Sequence, residues 1–498
     1  MAHSDPQALR VLPFRGLRFV PERVGDPSAV TSPPYDMIGP EEARRLADTA
    51  EHNVVRLILA APEEAAAGPG APADGRPARY RRAASSLREW MDDGSLRLDP
   101  EPGFYVYEQT GAGFRQRGLI ALVRLDDADT GSDAESDAAE PAPGRRAILP
   151  HEAVTDSVVA DRLAQMRATD AHIEPILLTY EGDRTVSDLV DRVANHSEPV
   201  TATTTADGTE HRLWAVTDPV TVDRISADLL WHRALIADGH HRHAAYRRLR
   251  AERAGQAEAA GTGAGSGTGT RSDTSSDTDT DNSSSTGTDS GTGSGTGTVT
   301  TAAYTGPAAY GLALIVDSAR YPLSLHAIHR VLPHVPLAVA VEQAGKVFAV
   351  RETADPHTVL EGIPASEHAF VLSDGTTHHL LTAPDPAVLA RAVPADRPAA
   401  WRALDATVLH HVLVESVWHL PDTPEEVRFD HDPEHAIAEA ARLGGTAVLL
   451  RPTTEEVVRE LAGAGVLMPR KSTAFGPKPA SGLVMRLLQE TAGENRWP

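Results

Sequence analysis

The sequence predicts a mixed α/β (α+β) fold, and three observations carry that expectation. Apolar segments of strand length and of helix length follow one another along the chain. No clean strand–helix–strand repeat organises them, which disfavours a doubly wound parallel sheet. Hydrophobic residues make up 41% of the 498 residues, enough for two or more cores. Aromatics supply only 5%, so those cores are expected to consist of Leu, Val, Ile and Ala.

Taken in order, Arg81–Asp92 reads as a helix ending before Gly94. Phe104–Gln109 and Gly118–Leu125 read as strands joined by a Gly-containing turn. Ala160–Arg167 is helical and Glu174–Tyr180 a strand. Arg212–Thr217 alternates as a strand does, and Ala234–Ala237 is a short apolar strand. His241–Glu252 is an Arg-rich helix. Further on, Tyr310–Asp317 is an apolar strand, Ala403–Trp418 a helix and Ala447–Leu450 a strand. Thr454–Gly463 is a helix with Thr453 or Thr454 as its cap.

Two stretches interrupt this pattern. Asp126–Arg145 is rich in Asp, Ala, Gly and Pro, and Gly255–Thr300 is almost purely Gly, Ser, Thr, Asp and Ala. The second offers too little apolar surface to offset the entropy of ordering it. The expected organisation is an N-terminal α/β region (1–125), a flexible insertion (126–146), a central region (147–254), a disordered low-complexity insertion (255–300) and a C-terminal α/β region (301–498).

Composition excludes several function classes. Cysteine is absent, which removes disulfides, thiolate catalysis and Cys-based metal sites. A net charge of −23 makes nucleic acid an unfavourable partner, although a local basic pocket can still hold phosphate. The N-terminal stretch has no continuous apolar run, so no signal peptide is expected. No apolar run approaches the ~20 residues of a membrane helix, so the expected location is the cytoplasm, with no membrane partner. Oligomeric state is not legible.

The segment Ala237-Asp238-Gly239-His240-His241-Arg242 carries the most chemistry. An apolar strand leads into Asp-Gly, and Asp-Gly leads into a helix. Glycine permits a tight turn and close approach of the backbone to a ligand. The first amides of a helix are unpaired donors, and its dipole favours anions there. His240, His241 and Arg242 lie in that first turn, and arginine grips phosphate with two hydrogen bonds. Asp238 is a cap, a substrate contact or a magnesium ligand. His240 and His241 are adjacent and point apart on a helix, so they make poor paired zinc ligands. The competing reading is a surface turn with solvated histidines.

Other candidates are more open. His151-Glu152 sets a carboxylate beside an imidazole, suited to general-base work or to a helix start. Asp161-Arg162 reads as an orienting ion pair or a surface pair. Pro33-Pro34-Tyr35-Asp36 holds Asp36 rigidly, as a base or as the cap of a helix near Pro40. Arg15 and Arg18 either reach a phosphate or are solvated. Only three lysines occur, Lys346, Lys471 and Lys478, and two of them sit in one Pro- and Gly-rich loop. Lys471-Ser472-Thr473 is therefore a phosphate-binding candidate, though no Walker A glycines precede it. His329-Arg330 reads as structural, and His410-His411 as packing or solvent-facing.

Several of these motifs, in order, resemble the bacterial and archaeal family called domain of unknown function 1015. They are Pro13-Phe14-Arg15-Gly16-Leu17-Arg18, Pro33-Pro34-Tyr35-Asp36, Asn53-Val54-Val55-Arg56-Leu57, Phe104-Tyr105-Val106-Tyr107-Glu108-Gln109, His151-Glu152 with Asp161-Arg162, the Ala-Asp-Gly-His-His-Arg core, and Met468-Pro469-Arg470-Lys471-Ser472-Thr473. The chain departs from the family pattern at Arg242-His243 and at Ala474-Phe475-Gly476. The Asp-Gly-His-His-Arg-x-Ala-Ala stretch is also similar to the phosphate-binding box of ParB/sulfiredoxin-like proteins, a group that includes free serine kinases.

That resemblance implies a ParB/sulfiredoxin-like core around the strand–turn–helix unit. It also implies phosphoryl transfer from ATP or ADP to a small hydroxyl compound, with free L-serine the first candidate. Asp238, Glu152, Asp36 and His151 would be the catalytic groups, with magnesium on Asp238. Gly239, His240, His241, Arg242, Lys471, Ser472, Thr473 and Arg15 would bind phosphate or nucleotide. The alternatives are a phosphohydrolase acting on a phosphorylated small molecule, and a non-catalytic nucleotide- or DNA-binding regulator of ParB-like type.

Overall fold

The computed structural model describes residues 8–59, 78–125, 146–263 and 304–489. Most of the stretches expected as insertions lie outside these residues. Mixed α/β architecture is observed, built on two large sheets.

The larger sheet has nine strands. Its order is Ile148–Leu149, Ala234–Asp238, Ile176–Tyr180, Tyr310–Asp317, Phe114–Arg124, Phe104–Gly111, Glu210–Val216 and Thr201–Thr204, with Val11–Leu12 added to Phe114–Arg124. Two pairings are parallel, Ala234–Asp238 with Ile148–Leu149 and Tyr310–Asp317 with Ile176–Tyr180; the other pairings are antiparallel. The sheet thus draws strands from all three regions that the sequence separates.

Alternation along these strands explains why both faces are covered. Leu235, Leu312, Leu314, Ile120 and Tyr107 enter one apolar core, while Ile236, Ala313, Ile315, Leu119 and Val106 enter a second core on the opposite face. A third core gathers N-terminal residues such as Leu17, Val55, Leu57, Leu87 and Trp90. The smaller sheet is fully antiparallel and runs Ala349–Thr353, His378–Thr382, Phe370–Ser373, Thr446–Leu449, His329–Leu332 and Arg428–Asp430. Its outer face packs Ala436, Ile437 and Ala440 of the helix Pro433–Leu443.

Two boundaries differ from expectation. The helix after Gly239 runs His240–Gly263, beyond the expected break at residue 254. Residues 251–260 are dominated by Ala, Glu and Arg, strong helix formers that carry the helix into the low-complexity stretch. Ala403–Trp418 is not one α-helix: a short turn, Asp405–Val408, passes into a π-helix, Leu409–Val417. Among the described residues no helix is long and apolar enough to cross a membrane.

Candidate active site at the Asp238–Gly239 turn

The strand Ala234–Asp238 breaks register against Ile176–Tyr180 at its end, where Ile236 faces Leu178 but Asp238 faces Leu177. That bulge re-aims Asp238 as the strand stops. Gly239 follows with φ +94°. A Cβ there would lie 2.9 Å from Ile176 Cγ2, so both the backbone conformation and the close approach require glycine. The Gly239 carbonyl accepts from the His243 amide at 2.8 Å and opens the helix. The amides of His240, His241 and Arg242 have no acceptor among the described residues, as expected for a helix start.

The two histidines turn their rings in different directions, and each holds one end of the same segment. His240 Nε2 accepts from the His151 amide at 3.3 Å, and His241 Nε2 accepts from the Thr155 amide at 3.0 Å. Both rings are therefore neutral and carry their proton on Nδ1. Glu152 sits inside the bracketed segment. The Met468 amide donates to the His151 carbonyl at 2.8 Å, and the Lys471 amide donates to Glu152 Oε1 at 3.3 Å. Lys471 adopts φ +55° to present that amide.

Asp238 lies between two cations. Its Oδ2 is 2.5 Å from Arg242 Nη2 and its Oδ1 2.7 Å from Lys478 Nζ. Lys478 also reaches Asp36 Oδ2 at 2.5 Å. Burial raises the pKa of Asp238, but Lys478 and then Arg242 more than offset this and hold it below its ordinary value. Burial likewise works against the charge on Lys478, and Asp238 and Asp36 outweigh it, so the ammonium is held more firmly than usual.

Lys478 is fixed from behind. Gln109 and Gln116 both donate to the Pro477 carbonyl at 3.2 Å, and the Ala480 amide donates to the Tyr107 hydroxyl at 3.3 Å. Glu174 fixes the opposite side: Oε1 accepts from the Tyr35 amide at 3.0 Å and from the Ser481 hydroxyl at 3.2 Å. The Tyr35 ring lies under Arg162, 4.3 Å from its guanidinium carbon.

Glu152, Lys471, Asp36 and Asp238 all lie close enough to His241 to act on it electrostatically. Burial first, and then the charges of Glu152, Lys471, Asp36 and Asp238, act on the half-buried His241, with burial setting its net downward shift. Lys471 has no carboxylate partner for its ammonium among the described residues, which leaves that charge open beside the helix start.

Several expected roles need correction. Arg242 is 2% exposed; its Nη1 donates to the Pro175 carbonyl at 2.5 Å and its Nη2 to Asp238, so it braces Asp238 instead of reaching into solvent. Both Asp238 oxygens are engaged by cations, so the carboxylate does not fit magnesium. His151 is buried, and its Nε2 pairs with the Thr473 hydroxyl at 2.8 Å. Burial, aided by His240, lowers its pKa to about 3, which makes it a poor base. The Ser472 hydroxyl donates to the Pro469 carbonyl, so Ser472 and Thr473 are both used locally. Arg15 donates to the Asp99 carbonyl at 2.7 Å, and Arg18 pairs with the Asp99 carboxylate, away from the turn. Asp36 does not cap the next helix, whose N-cap is Gly39.

Lys478, Glu174 and the pair Gln109–Gln116 escaped the sequence reading as site residues. Lys478 carried a signal in the scarcity of lysine and Gln109 in the Phe104–Gln109 motif, whereas Glu174 and Gln116 were marked by neither.

The fold and site define a mixed α/β protein with a cluster of charged and polar groups at a strand–glycine–helix junction. The chain belongs to the family described as protein of unknown function (DUF1015), whose model matches residues 11–407. No curated protein matches it. Among solved structures it is similar to a free serine kinase in complex with AMP, at 15% identity over 71% of this chain and 96% of that one, with a TM-score of 0.31. It is similar to a conserved hypothetical protein from Pyrococcus furiosus, at 15% identity over 68% and 92%, TM-score 0.30. It is also similar to C-terminally truncated SbnI from Staphylococcus aureus, at 10% identity over 74% and 89%, TM-score 0.29.

Proposed function

We propose that this chain is a cytoplasmic small-molecule kinase on a ParB/sulfiredoxin-like core. It transfers a phosphoryl group from ATP or ADP to a hydroxyl, and free L-serine is the first acceptor to test. The reaction class comes from the resemblance of the Asp-Gly-His-His-Arg box to that of free serine kinases. The observation that carries the reading here is a cluster: three amides without acceptors at His240–Arg242, the ammonium of Lys471, which acts electrostatically on His240, His241 and Asp238, and the carboxylate of Glu152, which accepts from the Lys471 amide. Such donors stabilise phosphoryl oxygens as charge develops on them.

In this reading the helix start and Lys471 hold the transferring phosphoryl group. Glu152 accepts the hydroxyl proton as the new O–P bond forms and the bond to the leaving nucleotide breaks. Asp36 and Asp238, joined through Lys478, orient the acceptor. Magnesium arrives with the nucleotide; no ligand for it is assigned to this chain, and no step is routed through it.

The test is to incubate purified protein with serine, magnesium and either ATP or ADP, and to measure phosphoserine. Absence of product with both nucleotides removes the serine assignment. Release of inorganic phosphate from a phosphorylated small molecule without nucleotide points to a phosphohydrolase instead. Nucleotide binding without turnover, measured by calorimetry, points to a regulator.

A further inference from the structure

We propose that His410, His411 and Glu415 form a binding site for a divalent transition-metal ion, separate from the Asp238–Gly239 turn and independent of the kinase reading. The three residues lie on the π-helix Leu409–Val417. An α-helix brings residues three and four apart onto one face. A π-helix closes its hydrogen bonds one residue later, so residues five apart also align. The Trp418 amide donates to the Leu413 carbonyl, five residues back. Glu415 is four residues from His411 and five from His410, so the wider turn sets its carboxylate between two adjacent imidazoles that an α-helix would spread apart.

The distances agree with this geometry. His410 Nε2 is 3.0 Å from Glu415 Oε1, and His411 Nδ1 is 2.8 Å from Glu415 Oε2. The ring centroids of the two histidines are 4.9 Å apart. One donor atom from each residue lies within 4.8 Å of the other two. Ligands bound to a single ion at ~2.0–2.2 Å stand at most about 4.4 Å apart, so small side-chain adjustments complete the site.

The donor set identifies the class of ion. Two imidazoles and a carboxylate suit zinc and its first-row neighbours, whereas magnesium and calcium prefer all-oxygen sites. Three protein ligands leave a coordination position for water. The site also has a rigid wall: Leu409, Val412, Leu413 and Val414 on the same helix are buried in the core, and the Trp401 ring packs 5.7 Å from His411.

Two other clusters are poorer. In Asp430–His435–Glu439 the Glu439 carboxylate is already paired with Arg428 at 2.6 Å. Asp183–Asp228–His232 supplies only one imidazole. No lysine or arginine pairs with Glu415 among the described residues.

The experiment is zinc titration of the untagged full-length chain by calorimetry, with cobalt as a spectroscopic substitute. One ion per chain is expected, with a visible cobalt spectrum that zinc abolishes. Glu415→Gln and His410→Asn, both at partly exposed positions, are expected to weaken binding by at least the roughly 10–100-fold that follows loss of a group merely hydrogen-bonded to a metal ligand. Equal melting temperatures in chelator confirm that the variants fold. If wild-type protein takes up no stoichiometric zinc, or if both variants bind as tightly as wild type, the site does not exist.

Discussion

Lys478 sets its ammonium 2.7 Å from Asp238 Oδ1 and 2.5 Å from Asp36 Oδ2, so one cation ties the strand end at Asp238 to the loop carrying Asp36. With side chains only 16% and 11% exposed, Lys478 and Asp238 form a largely buried pair within a network that Arg242 and Asp36 complete. Lys478→Met is expected to destabilise the fold by about 2–4 kcal/mol, slightly below the ~3–5 typical of a fully buried broken pair. The double variant Lys478→Met with Asp238→Asn should recover part of that loss. Urea denaturation of the four proteins gives the coupling energy, and additive losses would mean that the pair is not formed.

Glu152→Gln keeps the shape of the side chain and its contact with the Lys471 amide but removes the proton acceptor. With a phosphoryl acceptor identified, kcat should fall by roughly 10²–10⁴ while KM for the nucleotide stays near its original value. His241 reports on the same carboxylate indirectly. His241→Gln retains an acceptor for the Thr155 amide and should keep most activity, whereas His241→Leu should lose much of it. Equal activity in these two variants would remove the bracketing role.

His243 is buried, and its Nε2 has no hydrogen-bond partner. Burial, then Arg247 and Arg146, lower its pKa to about 3; burial also brings His240 and His151 to about 3. These folded-state values lie below the ~6.5 of an unfolded histidine. The unfolded chain therefore binds more protons, and stability is lost as pH falls from about 6.5 toward 3, by up to about 1.4 kcal/mol per pH unit for each group. His243→Leu should be stabilising by about 1 kcal/mol at pH 7 and by more at pH 5. Melting temperatures across that range check it; a variant curve parallel to the wild-type curve would contradict the assignment.

Gly239→Ala meets two obstacles, φ +94° and Ile176 Cγ2 at 2.9 Å. The backbone strain alone is expected to cost about 1–3 kcal/mol. Because the same turn aims the free amides, nucleotide affinity should fall together with melting temperature. Full nucleotide affinity in Gly239→Ala would show that the ligand sits elsewhere.

The turn itself was legible in the sequence because charged and polar residues crowd the end of an apolar strand. Strands such as Tyr310–Asp317 were legible because strand-length apolar runs are distinctive. The roles within the motif were not. Arg242 and His240 look like phosphate ligands until their partners, Pro175 and His151, are seen, and those partners are distant in sequence. The π-helix was missed because the apolar pattern of Ala403–Trp418 does not distinguish a four-residue from a five-residue closure. Lys471 and Lys478 stood out equally by rarity, and only their neighbours separate an open ammonium from a paired one.

Tyr310–Asp317 lies in the middle of the nine-stranded sheet, between Ile176–Tyr180 and Phe114–Arg124, although it comes last of the nine in sequence. During synthesis the two halves of that sheet must wait, each with an open hydrogen-bonding edge, until residue 317 has left the ribosome. Completion is then a late, long-range event of the kind that slows folding and invites edge-to-edge association. A fragment ending at the helix His240–Gly263 would lack its keystone strand and should be recovered as aggregate.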